Sequence, residues 1–353
     1  MSNATATLND VAGKAGVSVM TASRALSGEG YVAQKTREKV VAAAEELGYT
    51  PNLSAKMMKG SRTNVVGVLL NDLNSSVINA VVGAISTAVR KAGMDMIIYN
   101  AVEDLGSPGS KGANRMLQGL CDGLLLVMPK VREGHIEALE RSKLPIVLIN
   151  YCRTETSLPV VRGDNYFGAR EAVRHLVALG HRRIAFITGS AYSGQSGERQ
   201  RGYNDALNEA GIAPDAQLVV QGDFGQLSGF EAGQKLLGLG QPPTAIFAAN
   251  DEMAFGVMDA ARANGKRIPQ DVSIIGFDDI PAAAHVHPPL TTIRQPLQQI
   301  SDMAVQELLR RIAASPEQRS RTDFPSELVI RESCGPAPLP VAKPGRRRAP
   351  TGN

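Results

Sequence analysis

The chain has 353 residues, too many for one ordinary domain, so two or three domains with cores of their own are expected. Its 43% hydrophobic and 20% charged residues are those of a soluble globular protein and exclude disordered and fibrous classes. The net charge of +4 is mildly basic, which suits a polyanionic partner without identifying one.

The three cysteines, Cys121, Cys152 and Cys334, show no CxxC or Cys/His spacing. Free thiols in a reducing cytoplasm are expected, with no disulfide and no metal site. The start, MSNATATLND, has neither the basic region nor the apolar core of a signal peptide. No apolar run is long enough to span a bilayer.

Residues 7–26, TLNDVAGKAGVSVMTASRAL, read as two short helices joined by a tight turn. Thr7 is an N-cap candidate and Asp10, three residues on, completes a capping-box pair. Leu8, Val11, Ala12 and Ala15 share one helical face. Gly16 supplies the left-handed residue that ends the helix, and Val17 can bury in the turn. Ser18 caps a second helix whose Ala22 and Leu26 face inward. Ser18, Val19, Met20, Thr21 and Arg24 then face outward. A helix-turn-helix presents such residues to the major groove of DNA. Arg24 could fork onto guanine, Val19 and Met20 touch thymine methyls, and the hydroxyls bond phosphates or base edges. A solvated helical hairpin accounts for the pattern about equally well, but an exposed Val-Met pair favours an interface.

After a loop in which Tyr31 either packs back or reaches a phosphate, Gln34–Leu47 reads as a third helix stopped by Gly48. Thr50-Pro51-Asn52 then breaks the pattern. Asn52 can cap Leu53–Lys59, which is too short to be a stable helix alone. From Asn64 onward, short apolar runs alternate with amphipathic stretches. The runs begin at Val65, Met94, Gly123, Ile146, Ile184, Leu218, Thr244 and Val272. Continuous apolar strands with helical spacers mean parallel sheets covered on both faces. Their number calls for two doubly wound lobes. The expected lobes are residues 63–162 plus 292–333, with strand Glu327–Ile330 last, and residues 163–291. A basic, Pro-rich tail, 334–353, is expected to be disordered and contains no leucine heptad.

Ligands bind such sheets at strand C-termini. Asn250 and Asp251, Asp278 and Asp279, Asp164 and Asn165, Arg199 and Phe224 all stand in or near such positions. Carboxylates, an Arg, an amide and an aromatic face together suit a sugar. Each alone has a plainer explanation, since an Asp after a strand commonly caps the next helix. Enzyme readings find no support. GSPGSK at 106–111 lacks the spacing of a phosphate loop, and no GxGxxG, GxSxG or HExxH pattern occurs where it would need to be.

The segments TLNDVAGKAGVS, TASRALSG and KTREKVVAAAEELGYTPN closely resemble the N-terminal module of the lactose-repressor and purine-repressor family of bacterial regulators. Later landmarks agree in order: ERQRGYNDAL, FAANDEMAFGVMDAAR, IPQDVSIIGFDDI and PPLTTIRQP. The resemblance implies a helix-turn-helix domain over 1–50, a hinge helix within 51–62, and a periplasmic-binding-protein-like effector domain. It implies a homodimeric repressor that binds near-palindromic double-stranded DNA and uses no cofactor. DNA contacts are implied for Thr7, Ser23, Ser27, Tyr31, Asn52 and Ala55 beside the outward set, with Met58 as an apolar wedge in the minor groove. Effector contacts are implied for Arg199, Phe224, Asn250 and Asp278, and more weakly for Asp164. Val77 and Ile78 stand where purine-binding members carry aromatics, which argues against a purine effector and, more weakly, for a sugar. A cytoplasmic sugar receptor without DNA activity is the alternative, but it has no use for the outward face of the second helix.

Overall fold

The computed structural model describes residues 6–27, 30–49, 62–100, 119–129, 135–152, 155–191, 193–313 and 320–338. The hinge candidates Asn52, Ala55 and Met58, the GSPGSK turn and the tail beyond 338 lie outside this range. The chain divides into two compact units, Met1–Thr63 and Asn64–Asn353.

The first unit is a three-helix head: α1 (Leu8–Ala15), α2 (Val19–Ser27) and α3 (Gln34–Glu46). The Thr7 amide and hydroxyl both donate to Asp10 Oδ2, at 2.8 and 2.7 Å, and the Asp10 amide returns to Thr7 Oγ1. These bonds hold the Asp10 carboxyl below its ordinary pKa. Gly16, at φ +67°, ends α1 with the paired bonds Val17 N–H to Ala12 O and Gly16 N–H to Gly13 O. Ser18 Oγ accepts from the Thr21 amide at 3.1 Å and caps α2. Val11, Ala12, Ala22, Ala25, Val40 and Ala44 form the core of small residues that lets three short helices approach closely. The inward pair on α2 is Ala22 and Ala25. Leu26, expected there, is only half-buried against this core.

The second unit carries two parallel sheets. The first begins with β1 (Val65–Leu70), α4 (Ser76–Lys91), β2 (Asp95–Asn100), β3 (Gly123–Val127), α5 (His135–Glu140), β4 (Ile146–Ile149) and β5 (Val160–Gly163). The chain then crosses to α6 (Asn165–Ala178), β6 (Ile184–Thr188), α7 (Gly194–Glu209), β7 (Val219–Gln221), α8 (Gln226–Leu237), β8 (Ala245–Ala248), α9 (Asp251–Ala263) and β9 (Ser273–Ile275). It ends with β10 (Thr292–Arg294), α10 (Leu297–Ala313), β11 (Arg321–Phe324) and β12 (Glu327–Val329). The first sheet has the order β11-β5-β4-β3-β1-β2, the second β7-β6-β8-β9. In both, the central strands are buried on both faces, as the continuous apolar runs require.

The connections differ from expectation in two places. The chain crosses between sheets three times. β10 joins the second sheet through the bridges Ile275 to Thr291 and Asp278 to Arg294, and α10 and β11 then return to the first. β12 then pairs antiparallel with β10, so Glu327–Val329 does not finish the first lobe. The expected tail also begins late. Gly335 N–H donates to Ser273 Oγ and Ala337 N–H to Leu179 O, which pins 335–337 to the second lobe. Among the described residues no helix is long and apolar enough to cross a membrane.

Candidate functional site

In the head, the cap at Ser18 turns the first residues of α2 outward. Val19 and Met20 are 42% and 65% exposed, and Arg24 is exposed on the same helix. The Ser18 and Thr21 hydroxyls share a 2.8 Å hydrogen bond, and Ser23 is half-buried. Tyr31 is 94% exposed, so it does not pack back on the helices. Gly30, at φ +73°, lies beside the Arg24 stem, where a Cβ would stand 3.6 Å from Cδ. Ser27 closes α2, and its side chain is outside the described set.

In the second unit a cleft of about 350 Å³ opens between the two lobes at the C-terminal ends of their strands. It gathers Val77 and Ile78 from α4, Arg199 from α7, Phe224 from the loop after β7, Asn250 from the end of β8, and Asp278 from the loop after β9. Asp164 is not in the lining. It accepts the Phe167 amide at 2.8 Å and caps α6, the local role an Asp after a strand takes most readily.

Arg199 organises the floor. It is 3% exposed, in the second turn of α7 rather than at its start. Nε donates to Asn165 Oδ1 at 2.9 Å, Nη1 to the Ala249 carbonyl, and Nη2 to Asp278 Oδ1 at 3.4 Å. The guanidinium also lies 3.7 Å from the Phe277 ring centroid. Two of its five N–H groups remain for other acceptors. Asp278, at φ +113°, also accepts from Gln295 Nε2 at 2.6 Å. Its neighbour Asp279 turns away to Arg294 and Arg331, so the two are not an acid/base pair. Asn250 caps α9 through the Met253 amide and donates to Phe224 O at 2.9 Å. The Phe224 ring covers Gly189, where a Cβ would fall 1.9 Å from the ring.

Several lining residues were not found from sequence. Asn150, at the end of β4 and φ +52°, is 2% exposed, and its Nδ2 has no partner among the described residues. The polar-residue-after-a-strand rule that found Asn250 applies equally to it. Gln195 and Glu252 gave no signal. They bridge the lobes, Gln195 Nε2 to Asn150 O at 3.0 Å and Glu252 Oε1 to the Ser76 amide at 3.1 Å. Cys152 also lines the cleft, and burial pushes its thiol up to about 12, which makes it unreactive.

Burial pushes the Asp278 carboxyl up to about 6 against the pull of Arg199, and burial with the nearby Asp278 charge raises Asp251 well above its usual range. The native state therefore keeps protons that the unfolded chain has released. Stability from this source is complete below the ordinary carboxylate range and is lost as pH rises through about 6. Half-buried His175 and buried His181, whose pKa values burial lowers, act in the opposite sense. The diagnostic is thus a difference. Between pH 7 and 5 the urea midpoint of Asp278→Asn should gain less on acidification than that of the wild type. Parallel titrations of the two would remove this assignment.

Comparison with known proteins decides what these two sites belong to. Residues 7–52 match the family model for bacterial regulatory proteins of the lacI family, and residues 173–334 match a periplasmic binding protein-like domain. The HTH-type transcriptional repressor PurR of Erwinia tasmaniensis is 34% identical over 335 residues, covering 94% of this chain and 98% of its own. The chain belongs to the lacI family. Among solved structures, the lac repressor dimer bound to operator and the anti-inducer ONPF is 32% identical, with a TM-score of 0.84 over 94% of this chain and 100% of that one. The CelR-cellobiose complex is 31% identical, with a TM-score of 0.71 over 93% and 99%. This lacI-family chain is therefore a DNA-binding transcriptional repressor under effector control, and not an enzyme.

Proposed function

We propose that the protein works as a homodimer on a near-palindromic operator, each subunit laying α2 in the major groove of one half-site. The observation that carries this is the outward face of α2. Val19, Met20 and Arg24 lie exposed over a fully formed core. Stability alone does not call for an exposed Val-Met pair, but base-edge contact does. Tyr31, Ser23 and Ser27 flank that face, and Thr7 stands at the N-terminus of α1, where helices commonly meet phosphate. Asn52, Ala55 and Met58 would complete the contact from the hinge.

In this reading the cleft takes a sugar or sugar derivative. Arg199, Asn250 and Asp278 bond its hydroxyls, Phe224 covers its apolar face, and Val77 and Ile78 close the side. The effector acts by preferring one arrangement of the lobes, which changes how two hinges stand on DNA. The lac repressor and CelR complexes support a sugar-like ligand, and the lac repressor dimer supports the assembly. A purely sugar-binding receptor would share the cleft but leave the α2 face without purpose. The protein would act in the cytoplasm, on nucleoid DNA.

Arg24→Ala tests the DNA role. It should lower operator affinity by about 1–3 kcal/mol while leaving ligand-induced stabilisation unchanged. Quantitative footprinting and thermal shift on the same preparation read both. Wild-type affinity in the variant rejects the role given to Arg24.

A further inference from the structure

The cleft's charge is as informative as its shape. Among the described lining residues, Asp72, Asp223, Glu252 and Asp278 are acidic and Arg199 is the one cation. Arg199 is already paired with Asp278. The helices that start at the cleft would ordinarily offer positive ends to an anion. At α4 and α9 the protein's own side chains meet those ends, while α7, whose Ser193 and Gly194 also line the cleft, has no side-chain cap. Glu252 Oε1 takes the Ser76 amide at the start of α4, and the Asn250 side chain takes the Met253 amide of α9. Asp223 Oδ1 accepts the Gly225 amide at 2.7 Å just before α8, and Asp72 Oδ1 accepts the Asn74 amide at 2.8 Å just before α4. An incoming phosphate or carboxylate would find these donors taken and several carboxylates close by.

What remains on offer suits a ligand without negative charge. Asn150 presents a buried amide Nδ2 without a partner, which calls for an oxygen acceptor. Arg199 retains two N–H groups, and Asp72, Glu252 and Asp278 keep lone pairs for hydroxyl or ammonium donors. Phe224 supplies a flat apolar face. The volume of about 350 Å³ is at the small end for ligand pockets and fits one or two sugar rings.

We infer that the effector is an uncharged or amino-bearing sugar of one or two rings, and that the cleft rejects phosphorylated and carboxylated sugars. This rests on the effector-cleft reading above. It narrows that reading to a charge class.

The test uses the full-length protein and sugars in matched sets: neutral (glucose, galactose, ribose, cellobiose), amino (glucosamine, galactosamine), carboxylated (glucuronate, galacturonate) and phosphorylated (glucose 6-phosphate). Hypoxanthine and guanine complete the panel. Thermal shift is followed by calorimetry, and operator footprinting is run on the same preparation. A neutral or amino sugar should bind, with its carboxylated or phosphorylated twin weaker by about a hundredfold or more, the scale of like-charge juxtaposition. In Asp72→Asn/Asp223→Asn that gap should narrow by about tenfold, since amide groups keep the hydrogen-bonding shape and remove the charge. A phosphorylated or carboxylated sugar binding as well as its neutral twin overturns the inference. So does a purine hit, an unchanged gap in the double variant, or silence across the panel. Operator protection by the ligand-free protein in any of these cases leaves the regulator reading standing, whereas its absence would strike that reading instead.

Discussion

Arg199→Ala should destabilise the second lobe by roughly 3–5 kcal/mol, the cost of breaking a buried ion pair by removing one member. The guanidinium joins Asn165 on α6, Ala249 at the end of β8 and Asp278 after β9, so its loss leaves three acceptors short of donors. Asp278, only 6% exposed, would keep Gln295 Nε2 as its remaining side-chain donor. It can escape by taking a proton, so its pKa should climb further from about 6. The sign follows. A raised folded-state pKa adds stability below the unfolded value and loses it as pH rises through the folded one. The variant should therefore be more damaged at pH 8 than at pH 5. Adding Asp278→Asn should restore part of the lost stability by removing the stranded charge, without restoring effector binding, because two of the groups that would meet the ligand are then gone. Arg199→Lys should rescue little, since an ammonium cannot fork to partners on three elements. Urea midpoints at two pH values, with operator release followed alongside, read every limb. A single variant as stable as the wild type, with the same pH response, would show that this pair does not hold the cleft floor.

The contrast between Arg199 and Asp164 shows where sequence reasoning reached and where it stopped. Both are polar residues near a strand's C-terminal end, and family resemblance pointed to both. The local rule that an Asp there caps a helix decided Asp164. No local rule could show that Arg199 lies buried against Phe277, because those partners are 34 to 79 residues distant. The central strands were legible because burial on both faces leaves unbroken apolar runs. β11, RTDF, was not, since at a sheet edge it alternates exposed and half-buried positions and reads as polar coil. β12 was legible as a strand but not by its partner, which the third crossing alone determines. Asn150 was open to the same rule that found Asn250.

Gly256→Ala should cost about 3 kcal/mol or more, against the direction of helix propensity. In an exposed helix interior the change from Gly to Ala gains up to about 1 kcal/mol. Here α8 and α9 cross backbone to backbone, and a Cβ on Gly256 would fall 2.0 Å from the Gln226 carbonyl and 2.5 Å from the Phe230 nitrogen. Gly229 faces the other way in the same contact, with a Cβ 2.2 Å from the Met253 carbonyl. Backbone atoms cannot rotate aside as a side chain can, so the helices must part, and overpacking of that kind outweighs the propensity gain. The cleft would feel the separation directly. α8 begins just after Phe224 and α9 just after Asn250, and the two are tied by the 2.9 Å bond from Asn250 Nδ2 to Phe224 O. Parting the helices lengthens that bond and tilts the aromatic face away from the Arg199–Asp278 floor, so ligand affinity should fall along with stability. Gly197→Ala is the control. It lies on the exposed side of α7 with nothing within 4 Å of an added Cβ, and should be neutral or slightly stabilising. Should both substitutions raise the melting temperature alike, the close crossing would not be what sets Phe224 against Asn250.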